Sequence, residues 1–123
     1  MKVLIVDDEQ DVKQLFEQKF RREVRSGQLE LIFEYSAQGA LDYLDHHETS
    51  EIGVVLSDIN MPGMSGIDLL RESKSRFANL RVVMITAYSD ETNYQAALKY
   101  GSDDYLTKPV DFAMLRDRVF HLH

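Results

Sequence analysis

The stretch "VLSDINMPGMSG", Val55 to Gly66, ends an apolar run on an aspartate and breaks at once into Asn60, Pro62 and two glycines. An aspartate there puts a charge where a strand leaves the core, and Pro62 and Gly63 fix the backbone just behind it. Upstream, "VVLS" reads as the third of several strands, entered through the polar loop "HHETSEIG". Before that loop, Ser36 is placed to cap a short helix over "AQGALDYL", and "LELIFEY" reads as a weaker second strand because Glu30 and Glu34 lie within it. "KVLIV", Lys2 to Val6, has no polar alternation and suggests a strand buried on both faces. From Asp11, Val12, Leu15, Phe16, Phe20 and Val24 recur at helical steps, and Gly27 supplies the stop.

Downstream of the quoted turn, Ser65 and Asp68 fit a capping box opening a third helix that carries Ile67, Leu69 and Leu70. "RVVMIT", Arg81 to Thr86, is a fourth buried strand, and "SDETNYQAALKYG" is a helix capped by Ser89 or Asp90 and stopped at Gly101. "DYLT" is a fifth strand cut off at Pro109, and Asp111 caps a last helix with Phe112, Leu115 and Val119 inward. Five strands alternating with five helices predict one α/β domain over residues 1–123, a parallel sheet with helices on both faces joined by right-handed crossovers.

Composition restricts the function. A chain of 123 residues, 44% hydrophobic and 28% charged, suits one soluble domain. No apolar run approaches the roughly 18 residues of a membrane span. The run after Met1-Lys2 is too short for a signal-peptide core, and with no cysteine there is no disulfide framework or thiolate metal site, so a cytoplasmic location is expected. The net charge of −7 argues against direct nucleic-acid binding, which needs clustered Lys and Arg.

In a doubly wound sheet, ligands sit beyond the carboxyl ends of the strands. Those ends carry Asp7 and Asp8 after the first strand, Asp58 after the third, Thr86 after the fourth and Lys108 after the fifth. If the first strand lies between the second and third, three carboxylates, a hydroxyl and an ammonium converge. Such carboxylates raise one another's pKa unless a cation binds, and oxygen donors with room for water suit Mg²⁺. An Asn60 carbonyl pointing inward would add a neutral ligand. An ionised aspartate beside Mg²⁺ and a lysine is placed to attack a phosphoryl group and carry it as an acyl phosphate.

The segments "VDDE" (6–9), "SDINMPGMSG" (57–66), "ITA" (85–87) and "GSDDYLTKP" (101–109) resemble the receiver domain of bacterial two-component response regulators over essentially the whole chain. The resemblance implies a CheY-like, flavodoxin-like (βα)5 fold of strand order 2-1-3-4-5. It implies that Asp58 accepts a phosphoryl group from a sensor histidine kinase or phosphotransfer protein, and that Asp7, Asp8, Asp58 and Asn60 hold Mg²⁺, Mn²⁺ being able to replace it. Lys108 then holds the phosphate, Thr86 moves to bond it, Tyr105 is the aromatic that turns inward with the threonine, and Lys108-Pro109 is a cis peptide. Asn60 and Tyr88 stand at the family's rate-tuning positions, and we expect Tyr88 to screen the acyl phosphate. The family's output surface is made by the fourth helix, fifth strand and fifth helix, here with Tyr94, Tyr100, Asp104 and Arg118. A downstream effector or an output domain outside this chain is the expected target, and an Asp104 to Arg118 pair could join a homodimer.

Each residue also has a structural reading. Asp7 and Asp8 could be a solvated turn, Asp58 an Asx turn, Thr86 a strand residue, Lys108 a free charge and Tyr105 packing. Their shared position at strand ends favours function. His46, His47, His121 and His123 read as surface residues, and Met61 and Met64 as gap fillers or exposed turn residues. A phosphohydrolase with an aspartate nucleophile would want a second carboxylate where Asn60 stands, so turnover of external substrates is not expected. A flavodoxin-like carrier would need a neutral phosphate loop where "VDDEQD" is acidic. A receiver-like module that works by binding alone remains the alternative.

Overall fold

The computed structural model describes residues 1–88 and 90–122. Five strands, β1 (Lys2–Val6), β2 (Glu30–Glu34), β3 (Ile52–Asp58), β4 (Val82–Thr86) and β5 (Asp104–Thr107), form one parallel sheet in the order β2-β1-β3-β4-β5. The expected architecture and strand order are therefore observed. Register pairs Leu4 with Val55, Val55 with Val82, and Val83 with Asp104, which aligns the carboxyl ends of β1, β3 and β4 along one edge.

Because side chains alternate along a strand, the apolar runs divide into two cores. Leu4, Val6, Val55, Val82 and Met84 face α3 (Ala37–Asp45), α4 (Gly66–Arg76) and α5 (Glu91–Lys99). Val3, Ile5, Val54, Leu56, Val83 and Ile85 face α1 (Asp11–Lys19) and the last helix, with Phe16, Phe20, Leu115 and Val119. Burial on both faces is why β1, β3 and β4 read as unbroken apolar runs. β2, at the edge, keeps Glu30 exposed and its other residues half-buried.

The first expected helix is two. The chain leaves helical geometry at Phe20 (φ −111°, ψ 25°) and resumes as α2 (Arg21–Arg25), so the described residues form six α-helical segments rather than five. Phe20 is held by the rings of Phe16, Phe112 and Phe120, at centroid distances of 6.0, 5.7 and 5.2 Å. Phe16 and Phe20 are buried, whereas Leu15 and Val24, counted on the same apolar stripe, are each 42% exposed. Of this stripe, Phe16 and Phe20 are buried against the sheet and Val12 packs partly against the same core. The last helix is α6 (Phe112–Met114) running into a π turn over Leu115–Val119, with Leu115 and Val119 fully buried and Phe112 at the rim.

Other boundaries moved slightly. β3 begins at Ile52 behind a 3₁₀ turn at Thr49–Glu51, and β4 begins at Val82. The expected caps at Ser36, Asp90 and Asp111 each accept a backbone N–H, from Gly39, Asn93 and Met114. Ser89 and His123 lie outside the described residues. His46, His47 and His121 are exposed, and Met61 is buried as a gap filler. Within this chain Arg118 forks onto Asp104, its Nε donating to Oδ2 at 2.8 Å and a terminal nitrogen to Oδ1.

At the start of α4 the capping box is complete: Ser65 Oγ accepts the Asp68 N–H, and Asp68 accepts the Ser65 N–H. Gly66 opens the helix with its N–H donating to the Ile59 carbonyl at 2.9 Å, and a Cβ there would overlap the carbonyl oxygen of Asp58. Gly66→Ala is expected to lower stability by about 1–3 kcal/mol through forced displacement of this turn. Urea denaturation reads it, and an unchanged midpoint would show that α4 does not press on Asp58.

Candidate phosphoacceptor site

The ladder continues past each strand end and sets where the side chains stand. The Asp7 N–H donates to the Glu34 carbonyl at 3.1 Å, Ile59 to Ile85 at 3.1 Å and Lys108 to Thr86 at 2.8 Å. Gly63, at φ +75°, takes the left-handed conformation that lets the chain turn after Asp58, a conformation costly for any residue with a Cβ.

Asp7, Asp8 and Asp58 each offer a carboxylate oxygen within 4.8 Å of the others. Asp7 and Asp58 are nearly out of water, at 7% and 8% exposure, while Asp8 faces solvent. Lys108 reaches in from beyond β5, its Nζ donating to Asp7 Oδ2 at 3.1 Å and lying 3.7 Å from Asp58 Oδ1. Asp7 is held further by the Glu9 N–H, which donates to its Oδ1 at 2.9 Å. Glu9 escaped the sequence reading as a positioning residue, although it is the last letter of "VDDE".

One ammonium among three carboxylates leaves net negative charge in a poorly hydrated place. Burial, above all, pushes the Asp58 carboxyl up to about 6; Lys108 pulls it down, and Asp7 and Asp8 push it up. For Lys108, burial works against the charge, but the hydrogen bond to Asp7 and the charges of Asp58 and Asp7 prevail and hold its ammonium above the usual range. A set of hard, negatively charged oxygens with residual charge fits a small divalent cation.

The other expected residues stand around this centre. Thr86 is fully buried, and its Oγ1 donates to the Tyr88 carbonyl at 2.9 Å while accepting the Tyr88 N–H at 3.0 Å. Asn60, exposed at the start of the turn, reaches Thr86 Oγ1 through Nδ2 in a long 3.5 Å contact. The Tyr88 side chain is 72% exposed. Tyr105 packs edge-on against Tyr94 at 5.3 Å, and its hydroxyl is buried without a partner among the described residues. The Lys108-Pro109 peptide is cis, as the resemblance implies.

The raised Asp58 pKa has a consequence for stability. With about 6 in the folded chain against 3.8 unfolded, the native state binds more protons than the unfolded state between those values. Stability therefore falls as pH rises from about 4 to 6 and levels off above. In EDTA, Asp58→Asn should flatten this slope and raise Tm at neutral pH. Equal slopes for the two proteins in thermal melts would show that Asp58 is not destabilised by burial.

The sequence profile of the response regulator receiver domain matches residues 3–120. The chain is 36% identical over 118 residues to the response regulator protein PilR of Pseudomonas aeruginosa, covering 96% of this chain and 25% of that one. It is 31% identical over 118 residues to sporulation initiation phosphotransferase F of Bacillus subtilis, covering 96% and 90%. Among solved structures it is similar to a CheY-like receiver domain protein from Methanospirillum hungatei (TM-score 0.86, 25% identity, 98% of this chain and 90% of that one). A receiver domain from Clostridium thermocellum gives a TM-score of 0.81 at 31% identity, covering 93% and 86%. The chain thus spans about a quarter of PilR's length and most of the single-domain relatives'. A matched profile over nearly its whole length, a CheY-like sheet order and an acidic cluster at the strand ends place this chain in the response regulator receiver domain family.

Proposed function

We propose that the domain is a phosphorylation-driven switch in which Asp58 is the phosphoacceptor, and the observation that carries this is its position: a buried carboxylate with Asp7 and Asp8 oxygens within 4.8 Å and the Lys108 ammonium at 3.7 Å. The donor is the phosphohistidine of a sensor kinase or phosphotransfer protein. An Asp58 carboxylate oxygen attacks phosphorus, the bond from phosphorus to the imidazole nitrogen breaks, and the imidazole keeps that electron pair. The product is an acyl phosphate on Asp58. With a folded pKa of about 6, Asp58 is ionised and nucleophilic at neutral pH.

Asp7, Asp8, Asp58 and the Asn60 carbonyl would hold Mg²⁺, or Mn²⁺ in its place, and a bound divalent ion supplies charge neutralisation for the transferring oxygens. Lys108 exchanges part of its pairing with Asp7 for a phosphate oxygen. Thr86 Oγ1 gives up its donation to the Tyr88 carbonyl and donates to the phosphate instead, and Tyr105 responds to the space this changes. The readout is the face formed by α5, β5 and the last helix, which presents Tyr94, Asp104 and Arg118 to an effector or an output domain. The phosphoryl group's roughly −1.5 to −2 charges favour one of two packings that differ by a few kcal/mol. The domain acts in the cytoplasm and turns over no external substrate.

Incubation with acetyl phosphate and Mg²⁺ should add one phosphoryl group by intact mass, absent without divalent ion and absent in Asp58→Ala. No adduct on folded protein would point to a module that works by binding alone. Lys108→Ala should slow adduct formation by about tenfold or more, as loss of a charge-stabilising donor does. Tyr88→Ala should lose the phosphoryl group faster than the parent; since the ring now stands in solvent, screening requires it to fold over the phosphate, and an unchanged lifetime would remove it from that role.

A further inference from the structure

The core on the α1 side is not closed at its carboxyl end. A cavity of about 230 Å³ lies there, walled by Ile5, Phe16, Leu56, Ile85, Val110 and Phe112. Protein interiors otherwise pack to the density of organic crystals, and a void this large forfeits dispersion contacts on every wall. Water at the open end has charged groups as partners, but deeper in, where the walls are hydrocarbon, it lacks the two to four polar partners it needs. An apolar cavity of about 150 Å³ holds benzene, so this one has room for a single ring and a short chain. Its polar groups are Asp7, Glu9, Asp58 and Lys108, gathered at the edge where the strands end. Three carboxylates against one ammonium make that edge repel an anion and attract a cation.

We propose that this cavity is a binding site for a small organic ammonium, a compact aromatic or branched alkyl monoamine whose apolar body fills the void and whose charge lies among Asp7, Glu9 and Asp58. The shape selects the body, and the carboxylates select the sign of the charge. The ammonium occupies the same acidic edge as a divalent ion, so bound amine and metal exclude each other, and the amine slows phosphoryl uptake. That second consequence rests on the reading of Asp58 as phosphoacceptor, whereas binding does not.

The probe is phenethylamine, with 3-phenylpropionate as a control of similar size and opposite charge. In EDTA at low salt, millimolar phenethylamine should raise Tm by about 2 °C or more, as a ligand of the native state does, and phenylpropionate should not. Phenyl protons of the bound amine should show NOEs to the methyl groups of Leu56 and Ile85. Val110→Trp, which fills the void with an indole, should abolish the shift; should that variant not fold, the NOEs in the parent chain decide the matter. No shift with either compound, equal shifts with both, a shift that survives in folded Val110→Trp, or NOEs only to residues outside the cavity would each overturn the site. Saturating amine should also slow adduct formation from acetyl phosphate and Mg²⁺ by about fivefold or more, through lost metal occupancy. Binding without slowing would overturn the regulatory half, and absence of any adduct even without amine would count against the phosphoacceptor while leaving the cavity site standing.

Discussion

Asp7 and Asp58 sit almost out of water, close enough to repel, with the Lys108 ammonium 3.1 Å from one and 3.7 Å from the other. Chains do not hold carboxylates this way by default, since an ionised group taken from water without full compensation costs several kcal/mol. What holds them is the sheet. β1 and β3 are adjacent, parallel and buried on both faces, so the residues after Val6 and at the end of β3 have no freedom to move apart. Lys108 arrives by the same logic, because its N–H extends the β4-β5 ladder. The acidic cluster is thus a cost imposed by the fold on itself, and it is relieved by positive charge.

The surroundings of Asp58 carry that constraint outward. Behind it, Gly63 turns the chain and Gly66 lets α4 begin against the Asp58 carbonyl, with the Ser65–Asp68 capping box closing the helix end. On the α1 side four phenylalanines form a tilted and edge-to-face cluster, two of them, Phe16 and Phe112, walling the cavity that lies between it and the carboxyl edge. The site therefore has a rigid wall toward α4 and an unfilled one toward α1. On the far side, the Thr86 hydroxyl is engaged by the Tyr88 backbone, and the Tyr105 hydroxyl is buried without a partner among the described residues. An unpaired buried hydroxyl costs on the order of 1–3 kcal/mol, the scale at which an alternative packing of Thr86 and Tyr105 can compete.

The architecture was legible because the strands are extreme. Lys2–Val6 and Val82–Thr86 have no polar alternation, which only a strand covered on both faces tolerates, and the helices between them open on Ser36, Ser65, Asp90 and Asp111, whose side chains do accept the backbone N–H groups expected. The break at Phe20 was not legible. Apolar spacing runs through it without interruption, and the cause is contact with Phe112 and Phe120, which lie about a hundred residues away. Leu15 and Val24 keep the helical spacing yet stay exposed for a related reason, since periodicity identifies a stripe but not how much of it the sheet can cover.

The same division holds at the site. By itself the sequence determined which residues end the strands, and so which carboxylates, hydroxyl and ammonium could meet, because chain order and a parallel sheet allow few arrangements of those ends. Only the tertiary structure decided that Asp7 and Asp58 are buried while Asp8 is not, that Lys108 leans toward Asp7, that Arg118 closes onto Asp104 within the chain, and that a cavity opens beside the carboxylates. Those are properties of distances between residues far apart in sequence. Coulomb energy, desolvation and packing depend on those distances, and no local pattern of residues encodes them.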